Sequence, residues 1–271
     1  MNQNNQHLDW NLRRVGSKDG APLVWLHGFM GSGEDWIELV QEHFSQYCNI
    51  LIDLPGHGNC QIKEEVKFQA CLHSLLGQLE QKGIIDFITI GYSMGGRMAF
   101  HLQATAPDRI SGLILLSSAP GLKSDFERKH RRDADRQLMK RLEHLGFEKF
   151  IDEWYSATLF GNISTNQSLM NSLQKARSSN DIKQLGKNLE LMGNGALPSL
   201  WSSLGNQRAP TQLITGGLDT KYYELNAEIN NQLEDCSHTV VPNAGHAFHI
   251  EKPLETAAII RHFLSKTIEG D

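Results

Sequence analysis

Ser93 lies in Gly91-Tyr92-Ser93-Met94-Gly95-Gly96, a G-x-S-x-G pattern. The apolar run 87–90 before it predicts a buried strand, and 97–102 after it the start of a helix. Strand, tight turn and helix in that order form a nucleophile elbow, which lifts the serine hydroxyl clear of the backbone. Glycines at 91 and 95 permit the turn, because a side chain there would strike the adjoining strand or helix. A serine hydroxyl is inert until an imidazole takes its proton, and the imidazole needs an acid to orient it. His246, in Asn243-Ala244-Gly245-His246, follows the apolar run 239–241 and is placed to be the base. Asp219, in Thr215-Gly216-Gly217-Leu218-Asp219, follows the run 212–214 and is placed to be the acid. Each of the three comes just after an expected strand, so all gather at one sheet edge in the order Ser, Asp, His. His249 and Asp235 are the competitors. His249 suits the start of the last helix, and Asp235 a solvated helix end.

Charge that builds on a substrate oxygen needs two N–H donors aimed at one point. Met94, next to the serine, supplies one. Phe29 supplies the other, from the loop His27-Gly28-Phe29-Met30-Gly31-Ser32. That loop is no phosphate cradle, since the G-x-x-x-x-G-K-[ST] pattern is absent.

These residues need a scaffold that ends several strands at one edge. Near-continuous apolar runs occur at 23–26, 49–52, 88–90, 112–116, 212–214 and 239–241. Such runs suit strands covered on both faces, as in a parallel sheet. Helical patterns at about 65–82, 94–106, 222–234 and 253–266 separate most of them. The expected architecture is therefore α/β, a mostly parallel sheet with helices on both faces. Residues 7–15 suggest an extra leading strand. Residues 121–204 hold no strand-like run and are dominated by helical patterns. They are expected to form a helical cap over the carboxyl ends of the strands, with 1–120 and 205–271 as the core domain.

Composition narrows the function classes. The chain has 271 residues, 39% hydrophobic and 21% charged, enough to bury a full core. A formal net charge of -5 argues against a nucleic acid partner. No apolar run approaches the roughly 20 residues needed to insert across a membrane. The polar start Met1-Asn2-Gln3-Asn4-Asn5-Gln6 lacks a signal-peptide pattern and suggests a frayed end. Cys48, Cys60, Cys71 and Cys236 show no metal spacing, so free thiols in a reducing, cytoplasmic setting are expected. No metal or organic cofactor is implied, and nothing in the sequence indicates an oligomeric state.

Along nearly its whole length the chain resembles the α/β-hydrolases. The resemblance rests on His27-Gly28-Phe29, Asp53-Leu54-Pro55-Gly56-His57-Gly58, the elbow at 91–96, Gly217-x-Asp219 and Gly245-His246. Over about 90–220 it is similar to one branch, the 2-succinyl-6-hydroxy-2,4-cyclohexadiene-1-carboxylate synthases of menaquinone and phylloquinone biosynthesis. The residues that carry this are the Tyr92 and Arg97 flanks of the elbow, Ser118-Ala119-Pro120-Gly121-Leu122, Glu127-Arg128, Arg131-Arg132, Asp135-Arg136, Asp152-Glu153-Trp154-Tyr155 and Ala176-Arg177-Ser178-Ser179-Asn180. The resemblance implies a lyase that eliminates pyruvate from a small polyanionic cyclohexene carboxylate, with serine acting as a base. Helical spacing agrees with an anionic ligand. Arg131 shares a face with Leu138 and Leu142, Arg177 shares one with Leu169 and Leu173, and Arg97 lies one turn beyond Ser93. An arginine on an apolar face is costly unless paired, so these three are expected either to bind substrate carboxylates or to form internal pairs such as Arg131 with Asp135. Tyr92 and Trp154 are expected against the substrate ring, with cap packing as the other role for Trp154. Carboxylesterases, thioesterases and C–C bond hydrolases share the same serine, acid and histidine. A catalytically silent binding protein on this fold would commonly lack one of them.

Overall fold

The computed structural model describes residues 8–270. The polar segment Met1 to Gln6, and His7 at the head of the expected leading strand, lie outside them. The chain begins with β1 (Leu12–Gly16), β2 (Pro22–Leu26), α1 (Ile37–His43), β3 (Cys48–Ile52) and α2 (Phe68–Gln81). It continues through β4 (Phe87–Tyr92), α3 (Met94–Thr105) and β5 (Ile110–Leu116) to three helices, α4 (Asp125–Ser156), α5 (Gln167–Arg177) and α6 (Ile182–Met192). The last part is β6 (Thr211–Gly216), α7 (Thr220–Asn230), β7 (Cys236–Val241), α8 (Phe248–Glu251) and α9 (Pro253–Leu264).

The seven strands form one sheet in the order β1-β3-β2-β4-β5-β6-β7. β1 runs antiparallel to β3, and every other neighbouring pair is parallel. The continuous apolar runs have the physical cause expected of them. Alternate residues enter opposite faces: Val24 and Leu26 join the core on one side, Leu23 and Trp25 the core on the other. Leu113 and Leu115 of β5 divide from Ile114 and Leu116 in the same way.

The edges depart from the sequence expectation. β7 starts at Cys236 and, at the edge of the sheet, is only partly buried. Among the described residues it pairs only with β6, and Val240 is 38% exposed. β1 spans only Leu12–Gly16, while Leu8 and Trp10 ahead of it pack into the core. A parallel β2–β3 pair requires a crossover. α1 supplies it with seven residues, too few for a clear periodic signal, burying Leu39 and Val40. α7 begins two residues earlier than its apolar pattern suggests because Asp219 caps it, accepting from Tyr222 N–H at 3.2 Å.

Between β5 and β6 the chain is helical. α4 starts in a capping box, Ser124 with Glu127, and bends at Gly146, where φ is +72°. The helix thus changes direction there and resumes. The chain leaves β2 for β3 on one side and later places β4 on the other. The order reverses at β2 and β4, which makes their carboxyl ends a natural crevice. Among the described residues no helix is long and apolar enough to cross a membrane.

Candidate active site

Ser93 stands between β4 and α3 with φ 51° and ψ -105°, a strained backbone for a non-glycine residue. The surroundings hold it there. Ser93 N–H donates to the Leu116 carbonyl at 2.8 Å, and Ser118 Oγ donates to the Ser93 carbonyl at 2.7 Å. A Cβ on Gly95 would lie 2.3 Å from the Leu26 carbonyl oxygen, so only glycine lets α3 approach β2 this closely.

The hydroxyl faces His246. Ser93 Oγ is 2.9 Å from His246 Nε2, and His246 Nδ1 is 2.6 Å from Asp219 Oδ2. Asp219 uses its other oxygen to cap α7, so one carboxylate anchors a helix and orients the imidazole. His246 is held by its backbone as well, donating to the Leu159 carbonyl at 2.8 Å. Gly245 N–H donates to Glu251 at 2.7 Å. The competitors lie elsewhere. His249 belongs to α8, buried between Trp36 and Tyr92, where burial pushes its pKa down to about 3. Asp235 is exposed just before β7.

Every site residue named from the sequence, except Asp219 behind His246, lines one cavity above Ser93. The arginines differ in state. Arg177 is 4% exposed and donates to Asp35 at 2.6 Å and to the Tyr155 hydroxyl at 3.3 Å. Burial alone would lower its pKa, but Asp35 and Tyr155 hold it above the ordinary range. Arg131 is part-exposed and donates to Asp135 at 2.7 Å. Internal pairing and a place on the cavity wall therefore coexist at both. Arg97 is 7% exposed and has no ion pair among the described residues, and its Nε has no hydrogen-bond partner. Burial pulls its pKa down, with the Tyr222 hydroxyl beside it opposing. Trp154 stacks at 5.8 Å on Phe150 and faces Phe29 and Phe160, so it packs among these rings while walling the cavity. The Tyr92 ring lies 5.3 Å from the His246 ring, and burial holds its phenol well above the ordinary pKa.

Sequence reasoning missed Asp35, Tyr155, Tyr222 and Lys221, all on the cavity wall. Lys221, two residues past Asp219, could have been noticed from position alone. Its ammonium lies 5.6 Å from the Tyr222 ring centre. Asp35 carries no local signal, because its partner Arg177 is distant in the chain. Phe29 and Met94 line the same cavity as Ser93, and among the described residues neither N–H donates to a protein acceptor. Two backbone donors without a protein acceptor thus belong to residues of a cavity that also holds a hydroxyl, an imidazole and, among the described residues, a guanidinium outside any ion pair. That arrangement can move a proton and stabilise an oxyanion on an anionic ligand.

A family model described as the alpha/beta hydrolase fold matches residues 21–253. A Bacillus subtilis (strain 168) protein provisionally named 2-succinyl-6-hydroxy-2,4-cyclohexadiene-1-carboxylate synthase is 34% identical, with 92% of each chain covered. The synthase of that name from Escherichia coli O1:K1 is 31% identical, over 91% of this chain and 95% of its own. The solved structure of MenH from S. aureus superposes with a TM-score of 0.87 at 26% identity, covering 95% of this chain and 98% of that one.

Proposed function

Because this chain belongs to the α/β-hydrolase fold family, and within it to the 2-succinyl-6-hydroxy-2,4-cyclohexadiene-1-carboxylate synthases, we infer that it is a pyruvate-eliminating lyase. Its substrate is 2-succinyl-5-enolpyruvyl-6-hydroxy-3-cyclohexene-1-carboxylate, and its product is the conjugated diene of menaquinone or phylloquinone biosynthesis. In this reading residues 121–204 are the cap and 1–120 with 205–271 the core, in a cytoplasmic enzyme.

The observation that carries the reading is the Arg97 guanidinium, buried on the same cavity wall as Ser93 and, among the described residues, without an ion pair. A buried cation without a carboxylate is costly unless a ligand completes it. The substrate brings carboxylates, for which the guanidinium fork is shaped. Arg131 and Arg177 stand on the same wall, each also paired with an aspartate. An apolar acyl chain, as an esterase would bind, gains nothing from these groups.

Ser93 acts as a base and not as a nucleophile. His246 Nε2 takes the hydroxyl proton while Ser93 Oγ removes the ring proton next to the succinyl ketone. Asp219 fixes the imidazole tautomer and stabilises the imidazolium. The electron pair moves onto the ketone oxygen, held by the N–H groups of Phe29 and Met94. The enolate then collapses. A new double bond forms at the deprotonated carbon, the ring double bond shifts by one position, and the carbon–oxygen bond to the enolpyruvyl group breaks. The leaving group takes a proton from the imidazolium and tautomerises to pyruvate.

Purified protein given this substrate should release pyruvate in step with rising diene absorbance. Ser93→Ala should lower both by roughly 10³-fold or more. Turnover of simple aryl esters without pyruvate release would return the chain to the hydrolases. A covalent ester trapped on Ser93 with the true substrate would remove the base role.

A further inference from the structure

The Gly28–Phe29 peptide carries one N–H that this reading aims at the enolate oxygen. A planar trans peptide points its N–H opposite to its C=O, so whatever holds the Gly28 carbonyl also aims the Phe29 N–H. Two donors hold that carbonyl: His27 Nδ1–H at 2.7 Å and Gly31 N–H at 3.0 Å. The other nitrogen of the same ring, His27 Nε2, accepts from Leu54 N–H at 2.9 Å. The next peptide, Phe29–Met30, is held likewise. Met30 N–H donates to His57 Nε2 at 3.0 Å, and His57 Nδ1–H donates to the Pro55 carbonyl at 3.3 Å.

This loop would not keep its shape alone. Met30 has φ 62°, a left-handed value that an unrestrained methionine leaves. Both rings are fully buried and lie 5.1 Å apart. Burial pushes both pKa values down, His57 well down, so each ring keeps one donor and one acceptor nitrogen. A protonated ring would turn a donor toward a backbone N–H and break the arrangement.

We propose that His27 and His57 are positioning residues: the two imidazoles clamp the peptide planes on either side of Phe29 and so aim its N–H at the oxygen where charge develops. This rests on the oxyanion reading above, and the test separates the two. In His27→Asn the amide nitrogen stands near the lost Nδ1 and can still donate to the Gly28 carbonyl. In His27→Gln the amide reaches the Nε2 position and leaves that carbonyl without its side-chain donor. Two rates are measured on each: pyruvate elimination, and phosphonylation of Ser93 by a fluorophosphonate, whose phosphoryl oxygen occupies the same donors. His27→Gln is expected to lose roughly 10- to 100-fold in kcat with KM within about twofold, and to slow phosphonylation in parallel. His27→Asn should stay within about threefold of wild type in both rates, even where its unfolding midpoint falls. His57→Gln, which keeps the acceptor for Met30, and His57→Asn, which loses it, form a second pair should the first fail to fold. Equal rates across a pair, or losses that follow only the unfolding midpoint, would overturn the proposal. Slower phosphonylation with unchanged elimination would uphold the clamp and discard the oxyanion role in the lyase reaction.

Discussion

Arg97 and Arg177 bring the same charge to one cavity with opposite consequences for the folded protein. Arg177 is matched by Asp35 at 2.6 Å, whereas Arg97 has no ion pair among the described residues and only the more distant field of Asp135. Replacing Arg97 by Met removes a desolvated cation that no ion pair offsets, so unfolding should be unchanged or shifted toward higher stability. Under the proposed function the same change removes a charge-assisted contact to the substrate worth about 1.5–3 kcal/mol, so KM should rise roughly 10- to 100-fold. Arg177→Met does the reverse to the fold. It strands Asp35, whose side chain is 14% exposed, and should cost about 3–5 kcal/mol. Urea unfolding of the two variants decides the matter, and equal stabilities would mean that the Arg177–Asp35 pair does not compensate its own burial. Adding Asp35→Leu to Arg177→Met should restore most of the loss, as replacement of a buried pair by apolar groups often does.

At the scale of elements, α4 sets the spacing of the cavity wall. Arg131 precedes its bend and Trp154 follows it, and the bend is the single residue Gly146 at φ +72°. No other group lies within 4 Å of a Cβ placed there, so Gly146→Ala meets no clash and tests the backbone alone. It should destabilise by about 1 kcal/mol or more, because alanine resists that φ. KM should rise with it as the two halves of the helix reorient. A stability loss with unchanged KM would show that the bend does not set the distance between Arg131 and Trp154. What the sequence made legible follows from local physics. Inner strands are apolar throughout because both faces are covered, and Ser93, Asp219 and His246 each follow one at the same edge. The edge strands β1 and β7 are only partly buried, so apolar runs alone do not mark their ends. Contacts between distant segments leave no local pattern. Asp35 meets Arg177 across 142 positions, and nothing near either residue announces the other.

For the whole molecule the buried histidines set the response to acid. His27, His57, His101 and His249 all have lowered pKa values caused first by burial, with His101 at about 4 and His249 at about 3. In the unfolded chain each returns to about 6.5. Above that value neither state binds the proton and these groups leave stability unchanged. As pH falls below about 6.5 the unfolded chain takes up protons that the native state refuses, so stability declines until the folded pKa is reached. Each such histidine contributes up to about 1.4 kcal/mol per pH unit over that window. Carboxylates of the unfolded chain titrate mainly below about pH 5, so the interval from pH 7 to pH 5 isolates the histidines. His101 is the group to remove, because it lies on α3 against the edge of Phe68, does not line the cavity above Ser93, and its Nε2 has no partner to lose. Arg97 adds to the depression of its pKa, after burial. His101→Leu should keep the unfolding midpoint near wild type at pH 7 and lose less of it on acidification to pH 5. If wild type and variant lose stability equally over that interval, His101 is charged in the native state and its burial does not exclude the proton.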